Sequence, residues 1–227
     1  DYAGLFPPAK LPLDLAITEY ISHFSDQKKW MLGRFIIPIS QLNDLEKFIP
    51  KFDNIGTLKL SVLGAQSTSN KEFLEQTKKE IHIINEYRKK HEEKVSIEVI
   101  ETKLPSQSPS KDVMAKIVKL LNSNNLEHYH EFPELPYVGI NYATNEDESD
   151  WDDKITPTIE MISKLDDAGI KLRCGGIVKE AFPSVEQVAA MIQNCSIYQV
   201  PLKFTAGLHH PIRHHSSEYS TEMHGFI

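Results

Sequence analysis

Runs of apolar residues alternate along the chain with segments in which apolar residues recur every three or four positions. The runs predict β-strands, and the three-and-four spacing predicts helices between them. Strands are predicted over residues 1–9, 33–39, 57–64, 95–104, 135–144, 170–176 and 200–208. Most of these runs are almost continuously apolar, which is typical of strands buried on both faces of a parallel sheet.

Several helix ends are predicted from single residues. Ser40 is expected to cap the helix after the second strand. Ser184, with Gln187 three residues later, forms a capping box that opens a helix ending near Tyr198. Gly169 is expected to end the helix that precedes the sixth strand. Strands and helices therefore alternate at intervals of about thirty residues, as in parallel α/β proteins.

The alternation predicts a (β/α)8 TIM-type barrel. The chain has 227 residues, which fits a single barrel domain over residues 1–227. Since seven strands are predicted, the barrel is either incomplete or has its eighth unit beyond Ile227. The alternative is an open, doubly wound sheet, but no glycine-rich phosphate loop follows the first strand.

The net charge of the chain limits the kinds of molecule that it is expected to bind. The chain has 25 Lys and Arg against 32 Asp and Glu, a net charge of −7. Nucleic acids and anionic membranes need a basic surface, so neither is expected, although a local basic pocket is compatible with this charge. Cys174 and Cys195 have no disulfide-type spacing, and no apolar run is long enough to span a bilayer. We expect a cytoplasmic protein without a cofactor. The sequence leaves open whether the chain assembles into a homo-oligomer.

Cations on two neighbouring strands predict an anion site. Lys171 and Arg173 share one face of the sixth predicted strand, and Lys203 and Thr205 share one face of the seventh, because side chains alternate along a strand. Buried cations need a compensating anion. We therefore expect a pocket at the carboxyl ends of the strands that holds a substrate phosphate or carboxylate.

The compensating anion has a second possible source inside the protein. Glu98 and Glu101 lie on opposite faces of the fourth predicted strand, so at most one of them points into a barrel. Either would pair with the cations as an internal salt bridge. Glu101 lies nearer the end of the strand and is the better candidate for a catalytic carboxylate.

Glycines end both cationic strands. Gly175 and Gly176 follow the sixth, and Gly207 ends the seventh. Glycine lets backbone N–H groups approach a phosphate closely, so these residues are candidates for substrate binding. Ordinary turn formation after a strand is the alternative.

Histidines follow the seventh predicted strand. His209 and His210 are the first candidates for general acid–base catalysis, because they lie nearest the strand end and imidazole titrates near neutral pH. Arg213, between them and His214, is a candidate for substrate binding. The spacing matches no metal signature, so no metal is predicted, and a histidine-rich loop without a catalytic role is the alternative. Asn141, at the end of the fifth predicted strand, could hydrogen-bond a ligand.

The strand ends Lys203-Phe-Thr205-Ala-Gly207 and Lys171-Leu-Arg173-Cys-Gly175-Gly-Ile look like the paired lysine strands of class I aldolases such as deoxyribose-phosphate aldolase. That resemblance implies that Lys203 forms a Schiff base and that Lys171 or Arg173 tunes it. The two strand types stand here in the reverse order.

A second resemblance is to the barrel domain of quinolinate-type phosphoribosyltransferases. It involves Ile97-Glu-Val-Ile-Glu101, Arg173-Cys-Gly-Gly-Ile177 and Gly207-Leu-His-His210. It implies that the glycine loops hold phosphate, although that family's amino-terminal domain is missing. A fainter likeness to a bacterial family implies no chemistry.

Together these features predict an enzyme that acts on a small phosphorylated or carboxylated metabolite. Lyase chemistry of the aldolase type is the leading hypothesis, with Lys203 as Schiff-base former or electrostatic anchor. Phosphoribosyl or phosphate-ester transfer in the same cradle is the rival enzyme hypothesis. A barrel that binds a ligand without catalysis is the third.

Overall fold

The computed structural model describes residues 1–24, 26–105, 110–131, 149–165, 167–176 and 179–227. They form an α/β fold in which six parallel strands make one sheet. Its strands are β1 (Phe35–Pro38), β2 (Leu58–Leu63), β3 (Val95–Lys103), β4 (Glu127–Glu131), β5 (Ala168–Arg173) and β6 (Leu202–Thr205). A separate antiparallel pair is formed by β7 (His214–Ser216) and β8 (Thr221–Met223).

Helices lie between consecutive strands. The α-helices of the described residues are α1 (Leu13–Phe24), α2 (Leu42–Leu45), α3 (Asn70–Lys90), α4 (Lys111–Asn122), α5 (Ser149–Ile162) and α6 (Val185–Ile197). Short 3-10 segments lie at Lys29–Met31, Ile39–Gln41, Glu46–Phe52 and Lys179–Ala181. The capping box predicted at Ser184 and Gln187 is confirmed, with Ser184 Oγ accepting from the Gln187 N–H at 3.2 Å.

The six strands lie in the order in which the chain reaches them, each parallel to the next. A doubly wound sheet instead reverses direction at a switch point, so that alternative is wrong. A barrel also has sequential order. However, among the described residues the strand hydrogen bonds run from one edge to the other and do not join the two edges. Parallel α/β architecture is therefore established, and barrel closure is not.

The first predicted strand is reduced to one bridge. Tyr2 donates its N–H to the Arg34 carbonyl at 2.7 Å, and its own carbonyl accepts from Ile36 N–H at 2.9 Å. The chain then turns, since Phe6 N–H bonds to the Ala3 carbonyl at 3.0 Å. Pro7 and Pro8, which lack N–H donors, prevent further pairing.

One strand was not predicted, and one helix ends at a different residue from the one predicted. The strand predicted over 135–144 lies outside the described residues, and the strand that follows β3 is β4, whose letters Glu-His-Tyr-His-Glu contain no apolar run. Gly169 lies inside β5 and does not end a helix. The preceding helix ends at Ile162, and Asp167 (φ 58°) takes the left-handed conformation that we expected of Gly169.

One irregularity interrupts the pairing of β2 with β3. Leu60 lies opposite Ile97, but the next residue, Ser61, lies opposite Val99. Glu98 is therefore an extra residue in β3, and its side chain is exposed. An inserted residue of this kind locally disrupts the ladder and re-aims the side chains after it.

The outer edge of the sheet at β6 is poorly covered. Phe204 on β6 is 38% exposed. No described helix follows β6; the chain continues instead into the β7–β8 hairpin. That hairpin packs against the segment after β5, where the rings of Phe182 and Tyr219 lie 5.4 Å apart. In the parts of the chain that the structure describes, no helix is both long and apolar enough to cross a bilayer.

Candidate functional site

Lys171 and Lys203 lie side by side on β5 and β6. Their Cα atoms are register partners, and so are those of Arg173 and Thr205 one step further along. The intervening Leu172 is fully buried on the opposite face. The strand period of two therefore places both lysines on one face of adjacent strands, as predicted.

Both lysines converge on Glu101. Lys203 Nζ lies 2.6 Å from Glu101 Oε1, and Lys171 Nζ lies 3.1 Å from Oε2. The glutamate side chain is 1% exposed, whereas those of Lys171 and Lys203 are 12% and 18% exposed. Glu98 pairs instead with Arg34 at 3.3 Å. The internal salt bridge anticipated from the sequence therefore exists, and Glu101 is its acid.

Two further residues complete this cluster. Ser61 on β2 is fully buried and donates its hydroxyl to Glu101 Oε1 at 2.6 Å. Asp1 Oδ2 accepts from Lys203 Nζ at 2.6 Å, while Asp1 Oδ1 accepts from the Arg34 N–H at 2.9 Å. We call Asp1, Ser61, Glu101, Lys171 and Lys203 the lysine–glutamate cluster. Asp1 lies on the first segment of the sheet and Lys203 on the last, so the two edges approach each other here.

The cluster holds Glu101 in its ionised form. Burial acts to raise the pKa of this carboxyl, but the charges of Lys171 and Lys203 act in the opposite direction. Hydrogen bonds from Lys203 and Ser61 add to their effect, and the pKa lies below the ordinary glutamate value of 4.5. Glu101 is therefore paired as a carboxylate with both ammonium groups, and its predicted catalytic role stays a prediction.

Arg173 and the glycines lie next to each other at the strand ends. Arg173 Nε donates to the Gly175 carbonyl at 2.9 Å. A Cβ on Gly175 would lie 2.6 Å from Gly207 Cα, and one on Gly207 (φ 68°) would collide with the Cys174 carbonyl. A Cβ on Gly176 would likewise meet Ala181 Cβ at 2.5 Å. Close packing of two strand ends is thus sufficient to require glycine, and phosphate binding there remains a prediction.

The histidines lie close to one another, outside the lysine–glutamate cluster. The rings of His210 and His214 are 4.1 Å apart. The pKa of His209 is lowered, first by partial burial and then by the positive charges of His210 and His214. His209 and His210 are exposed in the loop after β6, and their predicted role in proton transfer is not tested by this geometry.

The remaining predicted binding residues are not drawn into the cluster. Arg213 is exposed, and its charge contributes to lowering the pKa of Glu186 on α6, after hydrogen bonds from the Glu186 backbone and Ser184. Thr205 is half-buried, and its carbonyl accepts from Cys174 N–H at 2.7 Å. Asn141 lies outside the described residues. Within the described ranges, no group of three or more His, Cys, Asp or Glu side chains is arranged to hold a metal.

A cleft of about 310 Å³ opens beside the cluster. Asp1, Tyr2 and Gly33 form one wall, and Lys28, Lys29 and Leu32 belong to the segment around it. Asp1 is thus shared between the cleft and the cluster. The residues that line this opening all precede β1 in the sequence, whereas the sequence analysis predicted a pocket at the carboxyl ends of the strands.

Asp1 and Ser61 are members of the cluster that the sequence analysis did not identify. Asp1 is separated from Lys203 by 202 positions and Ser61 from Glu101 by 40. No local pattern joins them. The one usable signal was Ser61 itself, a polar residue within the apolar second half of the strand Leu58–Leu63.

No family model matches the chain, and no curated protein matches it in sequence. Among solved structures, the crystal structure of a dipeptide epimerase from Methylococcus capsulatus complexed with Mg ion is similar at a TM-score of 0.34 and 13% identity. The match covers 87% of this chain and 57% of that one. A likeness this weak carries no argument about activity, and these comparisons support neither the aldolase nor the phosphoribosyltransferase resemblance.

Proposed function

We propose that this chain is an enzyme that acts on a small anionic metabolite by lyase-type carbonyl chemistry, and that its sheet belongs to an incomplete (β/α) barrel. The observation that carries the proposal is the convergence of Lys171 and Lys203 on the buried carboxylate of Glu101. Lys203 keeps 18% of its side chain exposed, so a small molecule can reach it.

A buried ion pair is weak evidence for a purely structural role. Desolvating charges costs several kcal/mol each, and well-packed apolar residues of similar volume are often as stabilising or more so. A cluster of two lysines and a glutamate in the middle of a sheet is therefore more readily explained by chemistry than by stability. Parallel α/β enzymes commonly place charged side chains of neighbouring strands around one reacting molecule.

Lys203 fits the role of electrostatic anchor better than that of Schiff-base former. Its Nζ lies 2.6 Å from Glu101 Oε1 and 2.6 Å from Asp1 Oδ2, and these two charge-assisted contacts hold it in one position. An ammonium held in fixed geometry stabilises negative charge that develops on a carbonyl oxygen during bond cleavage. In this scheme Lys171 and Glu101 orient Lys203, and His209 or His210 carries the proton.

Phosphate transfer is less well supported by the same contacts. The glycines at the strand ends are accounted for by the packing of Gly175 against Gly207. Arg173 donates to the Gly175 carbonyl, so one of its N–H groups is already engaged. Carbonyl chemistry needs neither a glycine loop nor a free arginine.

Turnover of a panel of small keto acids, aldol adducts and phosphorylated aldehydes tests the proposal. We expect Lys203→Met to lower kcat by roughly 10²- to 10³-fold, the usual effect of removing one group that stabilises developing charge. Lys203→Arg keeps a cation but cannot form a Schiff base, so it should retain more activity than Lys203→Met. Lys94→Met, which removes a surface lysine 2.7 Å from Asp53, is the matched control and should behave like the natural chain.

Borohydride trapping separates the two roles of Lys203. If Lys203 is an anchor, borohydride in the presence of a turned-over carbonyl compound leaves its mass unchanged. An adduct at Lys203, together with an inactive Lys203→Arg variant, would assign Schiff-base chemistry instead. Absence of turnover with every class of carbonyl compound would refute the proposed function.

A further inference from the structure

Asp1 joins two features that are otherwise separate. Its carboxylate contacts Lys203 inside the lysine–glutamate cluster, and the same residue lines the 310 Å³ cleft. Its backbone position is fixed by the neighbouring Tyr2, which pairs with the strand beginning at Phe35. The side chain alone therefore reaches from the rim of the cleft to Lys203.

The two anionic partners of Lys203 differ in how easily they can leave. Glu101 is 1% exposed and is also held by Lys171 and Ser61. Asp1 is 18% exposed, and besides Lys203 its carboxylate contacts the N–H of Arg34. Rotation of the Asp1 side chain into the cleft would release Lys203 Nζ on that side without disturbing Glu101.

We propose that the cleft admits a small carboxylate ligand, which replaces the Asp1 carboxylate on Lys203. Asp1 is thus the exchangeable counter-ion of the cluster. The ligand enters through the cleft, whose lining residues precede β1 in the sequence, and not at the carboxyl ends of the strands. The inference rests on the proposed function for the role of Lys203, and it narrows the anionic metabolite to a carboxylate.

Charge and shape both favour a carboxylate. The group that Lys203 binds at this position is itself a carboxylate with one negative charge, so exchange keeps both the charge and the geometry of the contact. The volume of the cleft is that of a small-molecule site. Met31 and Leu32 in its lining offer apolar contact to a short carbon chain, and the lining has two lysines, Lys28 and Lys29, against one acid besides Asp1, Asp26.

NMR titration of the natural chain with sodium acetate, and separately with inorganic phosphate, tests the site directly. We expect acetate to shift the amide signals of Gly33, which lines the cleft, and of Arg34, whose N–H bonds to Asp1. Phosphate should shift them less at equal ionic strength. If acetate instead moves the signals of Gly175 and Gly207 and leaves Arg34 unchanged, the anion binds at the strand ends and the inference is overturned.

Substitution of Asp1 measures the exchange. If the Asp1 carboxylate contacts Lys203 in about nine molecules out of ten, only about one molecule in ten can bind acetate there. The apparent Kd is then about tenfold higher than the intrinsic Kd, and removing the charge of Asp1 should recover that factor. We therefore expect Asp1→Asn to lower the Kd for acetate about tenfold and Asp1→Asn combined with Lys203→Met to abolish the gain. Asp53→Asn removes an equal charge from a surface pair with Lys94 and should leave the Kd unchanged.

Equal or weaker acetate binding by a folded Asp1→Asn variant would overturn the inference. If that variant does not fold, the titration of Arg34 in the natural chain decides. The proposed function fails separately, because binding needs no turnover. Tight acetate binding without turnover of any carbonyl compound would refute the function alone, and turnover that is indifferent to Asp1 would refute the exchange alone.

Discussion

Replacing Glu101 by glutamine tests whether one buried carboxylate holds the lysine–glutamate cluster together. The substitution preserves shape but leaves Lys171 and Lys203 facing a neutral amide. The glutamate side chain is 1% exposed, and it lies 3.1 Å from one lysine and 2.6 Å from the other. Breaking a buried pair by removing one partner costs about 3–5 kcal/mol, because an uncompensated charge stays buried. For a chain of this size that corresponds to a fall of roughly 6–20 °C in Tm.

Glu98 on the same strand provides the matched control. It pairs with Arg34 at 3.3 Å, but its side chain is 47% exposed, so solvent screens the pair. Exposed pairs contribute about 0–1 kcal/mol. Urea and thermal unfolding of Glu101→Gln and Glu98→Gln should therefore differ by several kcal/mol in free energy of unfolding. Equal stabilities of the two variants would show that Glu101 does not hold the lysines.

The pH dependence of unfolding gives a second measurement of the same pair. The folded-state pKa of Glu101 lies below the ordinary value of 4.5, so between the two values the unfolded chain binds more protons. The stabilisation by Glu101 is complete above the unfolded pKa and is lost as pH falls through the folded pKa. The stability gap between the natural chain and Glu101→Gln should thus narrow below about pH 4.5. A gap that widens with acidification would contradict the assignment.

Two further predictions concern the strand ends and the thiols. Gly207→Ala should lower the free energy of unfolding by more than Gly56→Ala. Both glycines have positive φ, but only a Cβ at Gly207 would collide with neighbouring backbone atoms. Urea denaturation of the two variants measures the difference. Burial raises the pKa of Cys174 to about 12 and that of Cys195 to about 11. Neither thiol should therefore react with a thiol reagent at pH 8 until the chain unfolds. Rapid labelling of the native chain would contradict this prediction.

The sequence predicted the features that depend on local patterns. The apolar runs identified β1, β2, β3, β5 and β6, and the spacing of Ser184 and Gln187 identified the start of α6. Strand alternation was also enough to place Lys171 beside Lys203, because both strands are short and regular. Glu101 was preferred to Glu98 because it lies nearer the strand end, and it is the one of the two that is buried.

Features that depend on distant parts of the chain were missed. Asp1 contacts Lys203 from 202 positions away, and a pattern within one segment carries no information about a contact at that separation. β4 was missed because its sequence, Glu-His-Tyr-His-Glu, contains no apolar run. The cleft beside Asp1 is formed by a turn and a short 3-10 segment, for which the sequence gives no periodic signal.

The extra residue at Glu98 has a consequence for insertions and deletions in this strand. Before the shift, Ile97 of β3 lies opposite Leu60 of β2. After the shift, Val99 lies opposite Ser61. Glu101 thereby takes the same face as Ser61; in an unshifted ladder that face would belong to Ile100. Deleting Glu98 would leave Ser61 opposite Val99 and Leu63 opposite Glu101, so the carboxylate would keep its face; deleting Ile100 instead would turn it away from both lysines. In a relative of this chain, a one-residue gap between Val99 and Glu101 would therefore indicate loss of the site, whereas a gap at Glu98 would not.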